Sequence, residues 1–191
     1  MKRVLKTLLI LVVAMVLGMG SALWVIYNPP SGHGVLNGAW WTDPLVGSAE
    51  ANMYVRAIVA RIGLFALNKT ETIYCTASSD DQGEPLRGEC DYVIGGEDMD
   101  ARWWSITAYG SDHFLIPNEQ NRHSFNMKNV HKDDRGQYRI RLSSRPQEGD
   151  WLPSAGEGDI SLMLRLYNPA ATVYDNLETT PLPRIVKEGC P

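Results

Sequence analysis

The sequence predicts a mainly β domain: an antiparallel sandwich or barrel with one preceding α-helix, behind an N-terminal transmembrane helix. Three observations carry this. Residues 7–27 form a run of 21 residues without a charge. After Asn68 the chain turns to short stretches with period-2 alternation, separated by turn residues, the pattern of strands with one buried face. No helical pattern separates those strands, which weighs against a parallel sheet. The 191 residues are 44% apolar and 21% charged, which excludes wholesale disorder and suits a buried core.

The first element is the apolar run TLLILVVAMVLGMGSALWVIY. About 20 apolar residues cross the roughly 30 Å hydrocarbon layer as a helix, which satisfies its own backbone groups in lipid. Trp24 and Tyr27 close the run where amphipathic rings favour the interface. Asn28-Pro29-Pro30 stops the helix, because proline lacks an N–H and restricts the residue before it. Lys2, Arg3 and Lys6 precede the run, and no Lys or Arg follows until Arg56. The positive-inside rule then places residues 1–27 as a cytoplasmic tip and single span of the inner membrane, with the body periplasmic or extracellular. The alternative is a cleaved signal peptide, with Gly18-Met19-Gly20 as the cleavage candidate. The apolar run continues through Leu23-Trp24-Val25-Ile26, which a cleaved peptide does not need.

Residues 28–39, rich in Gly, Pro, Ser and Asn, read as a linker, and 40–191 as the extracytoplasmic domain. Residues 48–67 read as a helix, with Ser48 as cap and Glu50 in the first turn. At roughly 100° per residue, Tyr54, Val55, Ile58, Ile62 and Phe65 share one face. Met53, Ala57, Ala60 and Leu64 form a second. A helix apolar on two sides is expected to be covered on two sides, by its own domain and by the membrane or a partner.

The strands follow. Residues 72–77 and 90–94 flank a polar loop. In 103–109, Trp104, Ile106 and Ala108 alternate with Trp103, Ser105, Thr107 and Tyr109. In 138–142, Tyr138, Ile140 and Leu142 point inward and Arg139 and Arg141 outward. In 160–167, Ile160, Leu162, Leu164 and Leu166 share one face. If the body lies outside the cytoplasm, disulfides are permitted. Cys75 and Cys90 then form the expected pair, across one loop, with Cys190 free; the alternative is three reduced thiols.

Five stretches occur in order: YVRAIVARIGLFALNKTETIY, DDQGEPLRGECDYVI, WWSITAYGSDHFLIPNEQNRHSF, GDWLPSAGEGDISLMLRLYNP and TTPLPRI. Over residues 54–187 the chain resembles the bacterial domain of unknown function 1214 family. The resemblance implies a jelly-roll-like β-sandwich with a preceding helix. It also implies a short, anchored form, in which a membrane span replaces the second domain of longer relatives. A separate protein carrying that companion domain, or a second copy of this chain, is then the expected partner for the face of Met53, Ala57, Ala60 and Leu64.

The chemistry is less specific. Residues 7–191 carry a net charge of −7, which argues against a nucleic-acid partner. His33, His113, His123 and His131 lack compact metal-ligand spacing, and neither a metal nor a cofactor is expected. Asp80, Asp81, Glu84, Glu89, Asp91, Glu97, Asp98 and Asp100 are abundant loop carboxylates, and a glycosidase needs two of them across a cleft. Trp103, Tyr109, Asn121, Arg122, Trp151 and Arg165 form the ligand-binding candidates, since aromatic platforms beside planar donors suit sugars. The bland alternative packs Trp103 and Trp151 over the sandwich, makes Trp151-Leu152-Pro153 a loop plug, and pairs Arg165 with a carboxylate or carbonyls. The leading functional expectation is a non-enzymatic envelope module binding a partner or glycan. A carbohydrate-processing enzyme using paired loop carboxylates, and a purely structural subunit, are the alternatives.

Overall fold

The two longest strands, β5 (Ala101–Gly110) and β9 (Ile160–Pro169), pair antiparallel, with Ser105 opposite Arg165 and Trp103 opposite Tyr167. Their alternation builds the core: Ile160, Leu162, Leu164 and Leu166 of β9 are buried, as are Trp104, Ile106 and Ala108 of β5. The computed structural model describes residues 2–28 and 34–190.

Around this pair lies a six-stranded sheet. It adds β1 (Val35–Asn37), β2 (Trp40–Thr42), β3 (Thr72–Ala77) and β6 (Ser124–Asn126), in the order β1-β2-β3-β9-β5-β6. A four-stranded sheet faces it, made of β4 (Asp91–Gly96), β7 (Tyr138–Ser143), β8 (Asp150–Pro153) and β10 (Arg184–Gly189), in the order β10-β4-β7-β8. Trp104 on one sheet stacks on Tyr138 of the other, with ring centroids 4.8 Å apart. At the opposite edge the Trp40 indole N–H donates to the Pro183 carbonyl at 2.6 Å. Buried aromatic groups thus tie both ends of the sandwich, each contributing large apolar area.

The expectation of a wholly antiparallel fold needs one correction. β7 and β8 run parallel, with Ile140 opposite Asp150 and Ser143 opposite Pro153. The short register lets the six-residue connection 144–149 fold back to the start of the pair.

The helix is shorter than residues 48–67. α2 spans Met53–Arg61, and Asn52 caps it by accepting from the Tyr54 and Val55 N–H groups. Ser48 instead closes a turn, accepting from the Glu50 N–H. Gly63 takes φ +70° just past the helix end, a conformation that glycine adopts without a Cβ penalty. No residue of α2 is buried, so the sandwich does not cover one of its faces as expected. Its principal neighbour is α1 (Lys2–Tyr27), and the Arg61 guanidinium lies 4.9 Å from the Tyr27 ring centroid. α1 is long and apolar enough to serve as a membrane anchor or signal sequence, and none of its residues is buried.

Residues 35–37, within the stretch read as linker, form an edge strand. The Asn37 side-chain amide donates to the Leu177 and Thr180 carbonyls and pins that strand to the segment before β10. The segment read as a loop plug at Trp151 is β8.

The disulfide joins Cys90 to Cys190, and Cys75 is a buried free thiol. The expected pairing of Cys75 with Cys90 fails because the two residues serve different sheets. Cys75 points into the core from β3, while Cys90 immediately precedes β4. β10 runs antiparallel beside β4 with Gly189 opposite Asp91, which brings Cys190 to Cys90.

Candidate functional site

The alternation that buries one face of the six-stranded sheet leaves a second face outward. Trp103, Ser105, Thr107 and Tyr109 of β5 share it with Ser161, Met163, Arg165 and Tyr167 of β9. Tyr74 and Thr76 of β3 extend it, and Trp41 of β2 lies opposite Thr76. The register sets Arg165 between Tyr74 and Ser105, and Tyr167 between Thr72 and Trp103. Apart from Thr107, which is buried, these outward residues of β5 and β9 are half-buried.

Arg165 organises the centre. Its guanidinium donates to the Tyr109 hydroxyl at 2.7 Å and to the Thr107 hydroxyl at 3.3 Å. The carboxylate or carbonyl partner expected for it is absent among the described residues, and two hydroxyls take that place. Hydroxyls orient the guanidinium without neutralising it, so the face keeps a positive centre. Lys128 Nζ adds a second cation 5.9 Å from the Trp103 ring centroid. The result is an aromatic surface with hydroxyls and two cations, and no acid shares the outward positions of β3, β5 and β9 among the described residues.

The six ligand-binding candidates therefore divide. Trp103, Tyr109 and Arg165 lie on this face. Asn121 and Arg122 lie in the loop before β6, and Trp151 lies on β8. Asn121 turns the chain at φ +50°. Arg122 Nη1 donates to the Trp151 carbonyl at 3.0 Å, which ties the two sheets together. The Trp151 indole is buried and donates to the Ser143 carbonyl, so it offers no open stacking plane. Tyr74, Tyr167, Trp41 and Lys128 complete the aromatic face and were not among the candidates. The alternation that puts Ile160, Leu162, Leu164 and Leu166 on one face of 160–167 assigns Tyr167 to the other, so that signal was present, and Tyr74 takes the same side by its register opposite Arg165. Trp41 and Lys128 carry no comparable signal, because β2 is three residues long and Lys128 lies in a turn after β6.

Six of the eight loop carboxylates are engaged in the fold, while Glu89 holds one buried oxygen without a hydrogen-bond partner among the described residues. Asp80 accepts from the Gln82 and Glu84 N–H groups, and Asp81 binds Arg184. Asp91 binds Arg145, Glu97 accepts from Gln137, and Asp100 accepts from Thr172. Asp98 accepts from the Trp104 indole at 2.8 Å and pairs with Lys132 at 2.5 Å. Burial pushes the Asp98 carboxyl up, but the hydrogen bonds from Lys132 and Trp104 and the lysine charge outweigh it and hold it below the usual range. A general acid needs the opposite shift. Glu97, Asp98 and Asp100 do line a cleft of about 310 Å³ with Thr172 and Asn176. No group of three metal-ligating side chains occurs among the described residues.

The histidines also sit in structural settings. His131 donates through its backbone N–H and Nδ1 to the buried Asp150, both at 2.6 Å. His123 Nδ1 lies 3.1 Å from the Ile116 carbonyl, and His113 occupies a turn at φ +66°. His33 lies outside the described residues. On α2 and the loop after it, Met53 and Ala60 are exposed, and Ala57 and Leu64 are half-buried.

A family model described as a protein of unknown function, DUF1214, matches residues 71–171. That stretch runs from the start of β3 to the end of β9 and holds most of the aromatic face. No curated protein matches the chain. Among solved structures, the VPA0106 protein of Vibrio parahaemolyticus is similar, with TM-score 0.60 and 22% identity. The match covers 89% of this chain and 43% of that one, so this chain spans less than half of its length. An uncharacterized protein from Burkholderia cenocepacia has TM-score 0.44 and 18% identity, over 61% of this chain and 29% of that one.

Proposed function

The chain belongs to the DUF1214 family of proteins of unknown function, and on that premise we propose that it is a membrane-anchored, extracytoplasmic, non-enzymatic binding module. α1 serves as the anchor in this reading, and the body with its Cys90–Cys190 disulfide sits in an oxidising compartment, where such bonds persist. The jelly-roll description implied by the family resemblance belongs to the same proposal.

The observation that carries the binding reading is the outer face of the six-stranded sheet. Flat aromatic rings stack on the apolar faces of sugar rings, while hydroxyls and a guanidinium bond the sugar hydroxyls or a carboxylate. Trp103, Tyr109 and Tyr167 supply rings, and Arg165 keeps three guanidinium N–H groups beyond the two given to Tyr109 and Thr107. The ligand class is a glycan, with an acidic group favoured by Arg165 and Lys128. The enzyme alternative is weaker, because six of the eight loop carboxylates, Asp80, Asp81, Asp91, Glu97, Asp98 and Asp100, have structural partners and Asp98 shifts away from the range of a general acid.

The test uses the full chain in nanodiscs with purified peptidoglycan sacculi and a panel of soluble acidic and neutral polysaccharides. Co-sedimentation or a change in Trp fluorescence is expected for at least one, and Trp103→Ala and Arg165→Met should each weaken it about tenfold or more, as loss of a central aromatic or arginine contact does. Binding that survives both substitutions assigns the ligand elsewhere. Absence of binding across the panel overturns the glycan reading.

A further inference from the structure

α2 and the loop that follows it are chemically unlike the rest of the body. Outside α1, ten large hydrophobic residues are exposed among the described residues, and five of them, Met53, Tyr54, Ile62, Phe65 and Leu67, fall within residues 53–67. Phe65 is 98% exposed and Met53 75%. Residues 51–70 also hold Arg56, Arg61 and Lys69 and not one acid, although residues 7–191 sum to −7. Exposed apolar side chains beside basic ones, with no residue of 53–67 buried, are the composition of a helix that lies in a membrane interface.

Its position agrees. The Arg61 guanidinium stacks over Tyr27 at 4.9 Å, and Tyr27 ends the apolar helix, at the level where aromatic rings meet headgroups. The C-terminal end of α2 is thereby held at the depth of that boundary. The Tyr74 hydroxyl, on the aromatic face, donates to the Phe65 carbonyl and accepts from the Leu67 N–H. The loop is thus fastened to the sheet on one side and presents Phe65 on the other.

We propose that residues 53–67 dock on the lipid surface that α1 enters, with Ile62 and Phe65, which share one face, among the acyl chains and Arg61 at anionic headgroups. This rests on the anchor reading of α1. Its consequence is positional: the membrane fixes the height and tilt of the sandwich, and the aromatic face is held near the bilayer rather than swinging on a tether.

The test places single spin labels on the full chain in vesicles of mixed zwitterionic and anionic phospholipid, in a Cys75→Ala background. Labels go at Phe65→Cys and Ile62→Cys, at Leu11→Cys within α1, and at Arg141→Cys on the exposed side of β7. Collisions with oxygen report lipid, and collisions with a water-soluble nickel chelate report solvent. The expected result is that labels at 65, 62 and 11 favour oxygen while the label at 141 favours nickel. Nickel access at 65 and 62 with oxygen access at 11 overturns the docking and leaves the anchor standing. Nickel access at 11 removes the anchor and the docking together. Spin–spin broadening between labels at 65 assigns the face to a second copy and likewise overturns the lipid proposal. Adding Phe65→Glu to the Ile62→Cys chain should shift the label at 62 toward nickel, and no shift overturns the claim that Phe65 anchors the segment.

Discussion

Asp98 joins a fully buried indole to an ammonium at the surface, and its two oxygens do different work. One accepts from Trp104 and the other pairs with Lys132. Asp98→Asn keeps an acceptor for the indole and loses only a partly exposed ion pair, a cost of about 0–1 kcal/mol. Asp98→Ala strands a buried N–H and should cost about 1–3 kcal/mol, so urea melts of the two variants should separate. The folded-state pKa of Asp98 lies below that of the unfolded chain. Its contribution is therefore present above the unfolded value near 4 and lost as the pH falls through the folded value. Asp98→Asn should flatten that part of the acid limb, and an unchanged pH profile counts against the Lys132 pair. Cys75 is the contrasting case. Burial, only partly offset by a hydrogen bond involving Thr42, pushes its thiol up to about 12. A thiol that stays protonated is a poor nucleophile. Iodoacetamide at pH 8 should leave Cys75 unmodified in the folded chain and modify it in urea. Arg165 was legible as an anomaly, one charge in an apolar alternation, but its hydroxyl partners were not, because they sit on a neighbouring strand whose register the sequence does not state.

At the scale of elements, legibility followed length. β3, β5, β7 and β9 each hold six or more residues and show their period directly. β1, β6 and β8 hold three or four, too few for alternation to be distinguished from a loop. β10 was hidden for another reason: its sequence RIVKEG buries only Ile185, because it is an edge strand. Missing β10 is also what misassigned the disulfide, since only β10 carries Cys190 back to Cys90. α2 was recognised as a helix, but its ends were set by Asn52 and Gly63 rather than by the apolar pattern. That cap gives a clean separation of local from global stability. Asn52→Ala removes the acceptor for two N–H groups and should cost the helix about 1 kcal/mol. α2 buries nothing, so the melting temperature of the sandwich should not move. Hydrogen exchange should quicken over residues 53–61 and stay unchanged in β5 and β9. A global loss of stability would mean that α2 is part of the core.

For the whole molecule, the disulfide and the apolar helix make one joint demand. β10 is laddered to β4 on one side only and on the other is met by Asp81, which bonds Ile185 and Arg184, so its hold on the sandwich depends on those contacts, on the Ile185 side chain and on the Cys90–Cys190 link. The link closes a loop with a sequence separation of 100. In the chain-entropy model a loop of that length is stabilised by about 4.7 kcal/mol, a large part of the total for one domain. A body kept in the cytoplasm would be denied this bond, because thiols there are held reduced. If the body lies beyond the membrane, protein taken directly from cells and denatured without reductant should react with one maleimide–polyethylene glycol, at Cys75. After reduction it should react with three. Protease added to spheroplasts should remove the body while a cytoplasmic marker survives. Cys190→Ser should then lower the midpoint of unfolding sharply, with α1 still in the membrane fraction. Three reactive thiols before reduction, or a body that resists protease on spheroplasts, would put the domain on the cytoplasmic side and end the extracytoplasmic reading.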